Sequence, residues 1–246
     1  MARGTATIGI LEAGANRPEL AQRHGSYVDF FETYFGRHDP SVTFKAYRVF
    51  EGEMPPSIYD SDAYVITGSR YSTYDDYAWI ADLKSFVQRA SEGRPVLGIC
   101  FGHQLIAEAF GGEVVKSPKG WGVGVHNYDV YQSPAWMRPG RDEFSLLVSH
   151  QDQVVTPPPD ATVLAGSEFC PIGMLAIGES VATLQSHPEM SKPFVADLFE
   201  ARRAQIGADT VDAALRSLDE STHEDEMAMW LLGFLRGGVS VSQPSR

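Results

Sequence analysis

Cys100 stands in Gly98-Ile99-Cys100-Phe101-Gly102-His103-Gln104, a G-x-C-x-G pattern that follows the apolar pair Val96-Leu97. With serine at its centre this pattern makes a nucleophile elbow, a sharp strand-to-helix turn that holds the nucleophile in a strained backbone conformation. Small flanking glycines remove the clash. The following helix N-terminus lies beneath the sulfur and favours thiolate. The backbone N–H of Phe101 then points where an oxyanion would form. The chemistry implied is nucleophilic attack on a carbonyl carbon. The second cysteine, Cys170, lies between Phe169 and Pro171 with no glycine frame. It reads as core filler, the ordinary role of a free cysteine.

A cysteine nucleophile needs a base, and the base needs an orienting group. Seven histidines are available. His24, His38 and His223 lie in polar helical or loop sequence and are expected at the surface. His126 sits in a strand-like run and reads as a structural polar residue. His187 differs, because Ser186-His187-Pro188-Glu189 follows a β-type run directly. Strand ends of parallel α/β sheets are where ligand chemistry collects. Glu189 is two residues on, so an extended segment puts both side chains on one side, and Pro188 stiffens the link. A carboxylate there can fix the imidazole tautomer and stabilise the imidazolium.

These residues must be positioned by the surrounding elements. Residues 7–11 form a short β-type run that Glu12-Ala13-Gly14 breaks. Residues 18–35 read as one helix, with Tyr27, Phe30, Phe31, Tyr34 and Phe35 three and four apart. Strands are expected over 42–50 and 63–67, the second ending at Gly68-Ser69. Residues 79–90 are helical, with Ile80, Leu83, Phe86 and Val87 on one face. The run 96–100 is apolar throughout, as in strands buried on both faces of a parallel sheet. Residues 104–110 form a short helix that Gly111-Gly112 terminates. Such strand–helix alternation predicts an α/β domain. Past Gly112, short β-type runs at 123–131, 144–148, 162–165, 174–177 and 181–184 suggest a mixed or antiparallel extension of the same sheet.

Helical sequence follows over 193–206, 210–218 and 224–236, with a frayed tail expected from Gly237. In the last helix Met227, Trp230, Leu231, Phe234 and Leu235 recur at helical spacing and read as core packing. The expected architecture is a three-layer α/β sandwich around a mostly parallel sheet. Residues 1–195 would form the main domain and 196–246 a helical extension packed on it.

Composition narrows the function classes. The 246 residues hold 20 Lys+Arg against 32 Asp+Glu, a formal charge of −12. Nucleic acid and anionic membrane repel such a surface. No stretch reaches the roughly 18 apolar residues of a membrane span, and the first residues lack a signal-peptide pattern. Two cysteines make no disulfide framework, which suits a cytoplasmic protein. The stretch 197–227 carries nine acidic and three basic residues. It reads as a solvated helical face, or as a docking face for a basic partner. Histidines and cysteines lack the short paired spacings of zinc sites, so no metal is expected. No phosphate-binding G-x-x-x-x-G-K-[ST] loop occurs, and no cofactor is implied.

Together, Gly98-Ile99-Cys100-Phe101-Gly102-His103-Gln104 and Ser186-His187-Pro188-Glu189 resemble the class I (triad-type) glutamine amidotransferases. The likeness is strongest to the amidotransferase part of GMP synthase and its stand-alone relatives, and runs from about residue 5 to 195. It implies a flavodoxin-like fold in which cysteine attacks the side-chain amide of glutamine, ammonia leaves, and water hydrolyses a γ-glutamyl thioester. Cys100 would be the nucleophile, His187 the general base and acid, and Glu189 the orienting group. The oxyanion hole would come from the N–H of Phe101 and from Gly68 in Thr67-Gly68-Ser69. Gln104 matches a glutamine-contacting position. Ser149-His150-Gln151-Asp152 matches the segment that holds the α-amino and α-carboxylate groups, with Gln151 where glycine is common. Gly68-Ser69-Arg70-Tyr71-Ser72 replaces the commoner Gly-Gly-Pro loop, and Arg70 is a candidate contact for a carboxylate or a partner.

The reading that follows is a glutamine amidotransferase or glutaminase, acting on L-glutamine or another γ-glutamyl amide. Its ammonia would go to a separate synthetase or acceptor enzyme. A γ-glutamyl hydrolase or peptidase with the same triad is the alternative, its leaving group an amino acid or another amine. A non-catalytic binding or regulatory subunit is the alternative of another class, since fold does not fix function.

Overall fold

The computed structural model describes residues 5–237. Its first half is the expected alternation: β1 (Ala6–Leu11), α1 (Pro18–His24), α2 (Tyr27–His38), β2 (Val42–Tyr47), β3 (Ala63–Ile66), α3 (Ala78–Ala90), β4 (Val96–Ile99) and α4 (Phe101–Ala109). β1 runs parallel to β2 on one side and β3 on the other, and β4 continues parallel beside β3. All residues of β3 and β4 are buried, as two-sided covering of a parallel sheet demands.

Three boundaries depart from expectation, each for a local reason. The helix expected over 18–35 is two helices, because Gly25 turns out at φ 93° and Ser26 starts a new one. Asp29 N–H donates to Ser26 Oγ at 3.1 Å and Ser26 N–H donates to the Asp29 carboxylate at 2.7 Å, a reciprocal capping box. The strand expected to residue 50 stops at Tyr47, where Val49–Glu51 make a 3-10 turn. α4 begins at Phe101 rather than 104, directly after Cys100.

The second half comprises β5 (Glu113–Lys116), β6 (Gly122–Val130), β7 (Glu143–His150), β8 (Asp152–Thr156), β9 (Ala161–Gly166), β10 (Met174–Ile177) and β11 (Val181–Leu184). β11 returns parallel beside β4. From it the sheet grows antiparallel through β10, β9, β6 and β7. The nine-stranded order is β2-β1-β3-β4-β11-β10-β9-β6-β7. The sheet is therefore mixed, with five parallel strands followed by four in the antiparallel extension. β5 and β8 pair separately as a two-stranded ribbon. They are four and five residues long with exposed ends, too short for a periodic signal.

Both sheet faces are covered. On one, Phe31 and Phe35 of α2 join Ile8, Ile10, Val65, Leu97 and Ile99 of the strands. On the other, Leu83, Phe86 and Val87 of α3 and Leu105 and Ile106 of α4 cover Tyr64, Ile66 and Val96. The C-terminal helices are α5 (Lys192–Ala201), α6 (Arg203–Ile206), α7 (Ala208–Ser217) and α8 (Glu224–Gly237). α5 and α7 pack against Val123 of β6 and Leu147 of β7. α8 lays Met227, Trp230, Leu231, Phe234 and Leu235 into the first core beside α2, and Trp230 Nε1 donates to Pro139 O at 2.7 Å. Five of the nine acids in the stretch 197–227 are ion-paired within the chain. Asp197 meets Arg23, Glu200 and Asp212 meet Arg203, Asp225 meets Arg37, and Glu226 meets Arg141. The tail expected to fray from Gly237 lies, beyond that residue, outside the described residues. Among the described residues no helix is long and apolar enough to cross a membrane.

Trp230 is almost wholly buried, edge-on to Phe144. Trp230→Ala should lower unfolding free energy by about 3–5 kcal/mol, measured by denaturant titration, if 196–237 and the preceding residues unfold as one unit. Two separate transitions in the wild type would show that they do not.

Candidate active site

Cys100 has φ 52° and ψ −99°, the only positive φ on a non-glycine residue among those described. Such a conformation costs about 1–3 kcal/mol and persists only when its surroundings over-determine it. Here they do. Cys100 N–H donates to Leu184 O of β11 at 2.8 Å, and Gln104 N–H donates to Cys100 O at 3.1 Å. A Cβ on Gly98 would lie 2.4 Å from Gly102 O, and a Cβ on Gly102 would lie 2.7 Å from Ile66 O. Both glycines are packing requirements: β3, β4 and α4 meet too closely for a side chain. Phe101 is the first residue of α4, so its N–H has no acceptor within the helix.

His187 follows β11. Its N–H donates to Leu147 O at 2.8 Å, tying the segment to β7. Its Nδ1 lies 2.7 Å from Glu189 Oε1, and both side chains are buried. Burial alone would push the His187 pKa down. The Glu189 carboxylate and the Cys100 sulfur, which also hydrogen-bonds the ring, outweigh it and hold the value up at about 10. The ring therefore carries its proton through neutral pH, donating to Glu189 on one side and facing the sulfur on the other. Gly68 closes the group. A Cβ there would stand 2.9 Å from His187 Cε1 and 3.8 Å from Cys100 Cβ. Its loop is shaped by Ala13 N–H donating to Thr67 Oγ1 at 3.0 Å and Ser69 Oγ donating to Ala13 O at 2.8 Å.

A cavity of about 550 Å³ opens on the other side of Cys100 and Phe101, and Gln104, Ser149, His150, Gln151 and Asp152 all line it. The five substrate-contact candidates are thus brought together. Gln104 Nε2 donates to Asp152 O at 2.8 Å and to Gln185 Oε1 at 3.1 Å, bracing the wall. Asp152 Oδ2 accepts from Ser72 Oγ at 2.6 Å. Burial, with His126 nearby, pushes the His150 pKa down to about 3, so this imidazole is neutral, in contrast to His187. Gly68, His187 and Glu189 do not line this cavity. His187 and Glu189 instead border a second one, of about 470 Å³, behind the pair.

The remaining candidates fall elsewhere. Cys170 is fully buried, and burial pushes its thiol up to about 12. His24 is half-buried rather than at the surface, held by Asp197 at 2.6 Å; His38 likewise, by Asp225 at 2.9 Å. His223 is also half-buried, with Nδ1 accepting from Ser145 N–H at 2.9 Å. His126 is edge-on to Phe169. Arg70 is exposed at the cavity mouth, donating to Tyr71 Oη at 3.0 Å. The cavity also contains Arg17, Tyr27, Trp121 and Arg202. No motif announces them, because they come from α1, α2, the β5–β6 loop and the α5–α6 corner. Among the described residues no group of three or more His, Cys, Asp or Glu side chains is placed to hold a metal ion.

Comparison with known proteins places the chain in a family. The family model "Glutamine amidotransferase class-I" matches residues 42–198. Gamma-glutamyl peptidase 3 of Arabidopsis thaliana is 31% identical, covering 74% of this chain and 76% of its own. A glutamine-hydrolysing GMP synthase of Caldanaerobacter subterraneus subsp. tengcongensis is 36% identical over 54% of this chain and 25% of its own length. In structure, a glutamine amidotransferase of Thermotoga maritima superposes with a TM-score of 0.71, at 17% identity, over 95% of this chain and 97% of that one.

The charge on His187 has a consequence for stability. Its pKa rises from 6.5 to about 10 on folding. The stabilisation from the charged ring is thus complete below about pH 6.5 and lost as pH rises through 10. Wild type should exceed Glu189→Gln in unfolding free energy most at about pH 6, and the gap should shrink towards pH 10. Denaturant titrations of both proteins across that range check this. A gap that stayed constant or widened would refute the charged pair.

Proposed function

We propose, from the premise that this chain belongs to the class I glutamine amidotransferase family, that it is a γ-glutamyl peptidase. It would hydrolyse the γ-amide bond of γ-glutamyl compounds, with Cys100, His187 and Glu189 as its triad. The observation that carries the chemistry is the strained Cys100 set against the buried His187–Glu189 pair at 2.7 Å. The likeness to the Arabidopsis peptidase, over three quarters of both chains, supports a leaving group larger than ammonia. So does the cavity of about 550 Å³, within the usual range for ligand pockets.

In this reading the Cys100 thiolate adds to the γ-carbonyl carbon, and the oxygen takes up negative charge. The N–H groups of Phe101 and Gly68 would receive it. The C–N bond then breaks, and the protonated His187 gives its proton to the leaving amine. A γ-glutamyl thioester remains on Cys100. Neutral His187 next takes a proton from water, the hydroxide adds to the thioester carbon, and the C–S bond breaks. Glutamate leaves, with thiolate and imidazolium restored. Glu189 keeps the ring oriented and steadies its charge throughout. Gln104 and the Ser149–Asp152 segment would grip the γ-glutamyl unit. The steps are acyl and proton transfers that the chain's own residues supply.

A glutaminase feeding ammonia to a separate enzyme is the second reading, favoured by the family's characteristic activity. The test is glutamate release by the purified protein from γ-glutamyl dipeptides and, in parallel, from L-glutamine. The dipeptides should be preferred. Cys100→Ser and His187→Ala should each lose at least about 10³-fold in kcat/KM. Release from L-glutamine alone would move the protein to the second reading. Release that survived Cys100→Ser would remove Cys100 from the chemistry, and no release from either substrate would favour the non-catalytic subunit.

A further inference from the structure

Arg17 and Arg202 reach the nucleophile cavity from opposite ends of the chain. Arg17 is the N-cap residue of α1, and its Nη1 donates to Ala201 O at 3.3 Å. Arg202 sits at the corner between α5 and α6. Its Nη1 lies 3.5 Å from Ser149 Oγ, and its guanidinium lies 5.8 Å from the centre of the Trp121 ring. Among the described residues neither has a carboxylate partner. Their neighbours do: Arg23 pairs with Asp197, and Arg203 with Glu200 and Asp212. The acids on the cavity wall, Glu19 and Asp152, pair with neither arginine. In a chain with 32 acidic residues, three guanidinium groups line one cavity beside the nucleophile without a carboxylate partner among the described residues: Arg70 is exposed at the mouth on Tyr71 Oη, whereas Arg17, through Ala201 O, is held beside Arg202. Burial disfavours the charge of Arg202, and the like charge of Arg17 adds to that, so an anion between them would be welcome on both counts.

We infer that Arg17 and Arg202 bind a carboxylate on the leaving group, so that the substrates are γ-glutamyl amino acids or peptides with a free C-terminus. This rests on the peptidase reading above. Two features favour the leaving-group carboxylate over the α-carboxylate of the γ-glutamyl unit. Glutamine and every γ-glutamyl compound share the α-carboxylate, and the Ser149–Asp152 segment already stands for it. Arg202, in contrast, lies beyond the matched family region 42–198 and beyond the likeness that ends at about residue 195. It belongs to a segment that flanks the shared domain, where a function not shared by all its members can be added. Guanidinium suits the task, since its fork matches a carboxylate in two parallel hydrogen bonds.

The test separates this inference from the peptidase reading by measuring binding without turnover. γ-Glutamyl-leucine and its C-terminal amide are titrated into Cys100→Ala protein by calorimetry. The acid should bind at least about tenfold more tightly than the amide, the effect of one charge-assisted pair. Adding Arg202→Gln, and separately Arg17→Gln, should bring that ratio towards one, with thermal unfolding checked for each. If Arg202→Gln fails to fold, the exposed Arg17 alone decides. Equal binding of acid and amide, or no binding of either, overturns the inference. So does an equal loss for both ligands on replacing Arg202, which would assign that guanidinium to the α-carboxylate. Glutamate release by the wild-type protein is scored separately. Its absence sinks the peptidase reading, whereas the acid-to-amide binding ratio still decides the role of the arginines.

Discussion

A side chain at φ 52° is uphill for any residue but glycine, and three elements converge to keep Cys100 there. β3, β4 and α4 approach so closely that Gly98 and Gly102 have no space for a Cβ. The hydrogen bond from Cys100 N–H to Leu184 O anchors the turn to β11 as well. The register of the parallel strands therefore sets where the sulfur stands. Loosening any of these contacts would let the backbone relax to an ordinary conformation, and the sulfur would leave the sheet edge.

The second requirement is electrostatic. His187 and Glu189 are both buried, where an unpaired charge would be prohibitive. Their 2.7 Å contact, together with the sulfur on the far side of the ring, makes the charged imidazole the favoured form. His150 gives the contrast within the same site: equally buried but without a carboxylate, it is driven neutral. Two equally buried histidines thus shift in opposite directions, because Glu189 and the Cys100 sulfur adjoin one and further imidazoles adjoin the other. Gly68 lets the third-strand loop approach both Cys100 and His187.

The C-terminal helices do more than extend the domain. α8 contributes Trp230, Leu231 and Phe234 to the core that also holds Ile10 and Leu97, so its apolar stripe is covered by the sheet rather than open to a partner. Five of the nine acids of the same region pair with Arg23, Arg37, Arg141 and Arg203, so part of its charge is compensated where it meets the rest of the chain. At the α5–α6 corner it also brings Arg202 to the cavity that holds Cys100.

Much of this was legible in the residues themselves. The glycine spacing about Cys100 specifies an elbow, since only such a turn needs small residues on both sides of a nucleophile. The His187-x-Glu189 spacing specifies a paired imidazole wherever the segment is extended. The apolar runs of β3 and β4 announce a parallel sheet, and the stripe on α8 announces a buried helix. What lay beyond the sequence were facts of long-range pairing: the width of the antiparallel half, the β5–β8 ribbon, and the break at Gly25. The cavity wall likewise joins Arg17, Trp121 and Arg202 across nearly two hundred residues of chain. Local spacing encodes local geometry because backbone sterics act over a few residues. Which distant side chains share a cavity, and what charge a buried histidine carries there, follow from packing and desolvation, and these exist only once the chain has closed on itself.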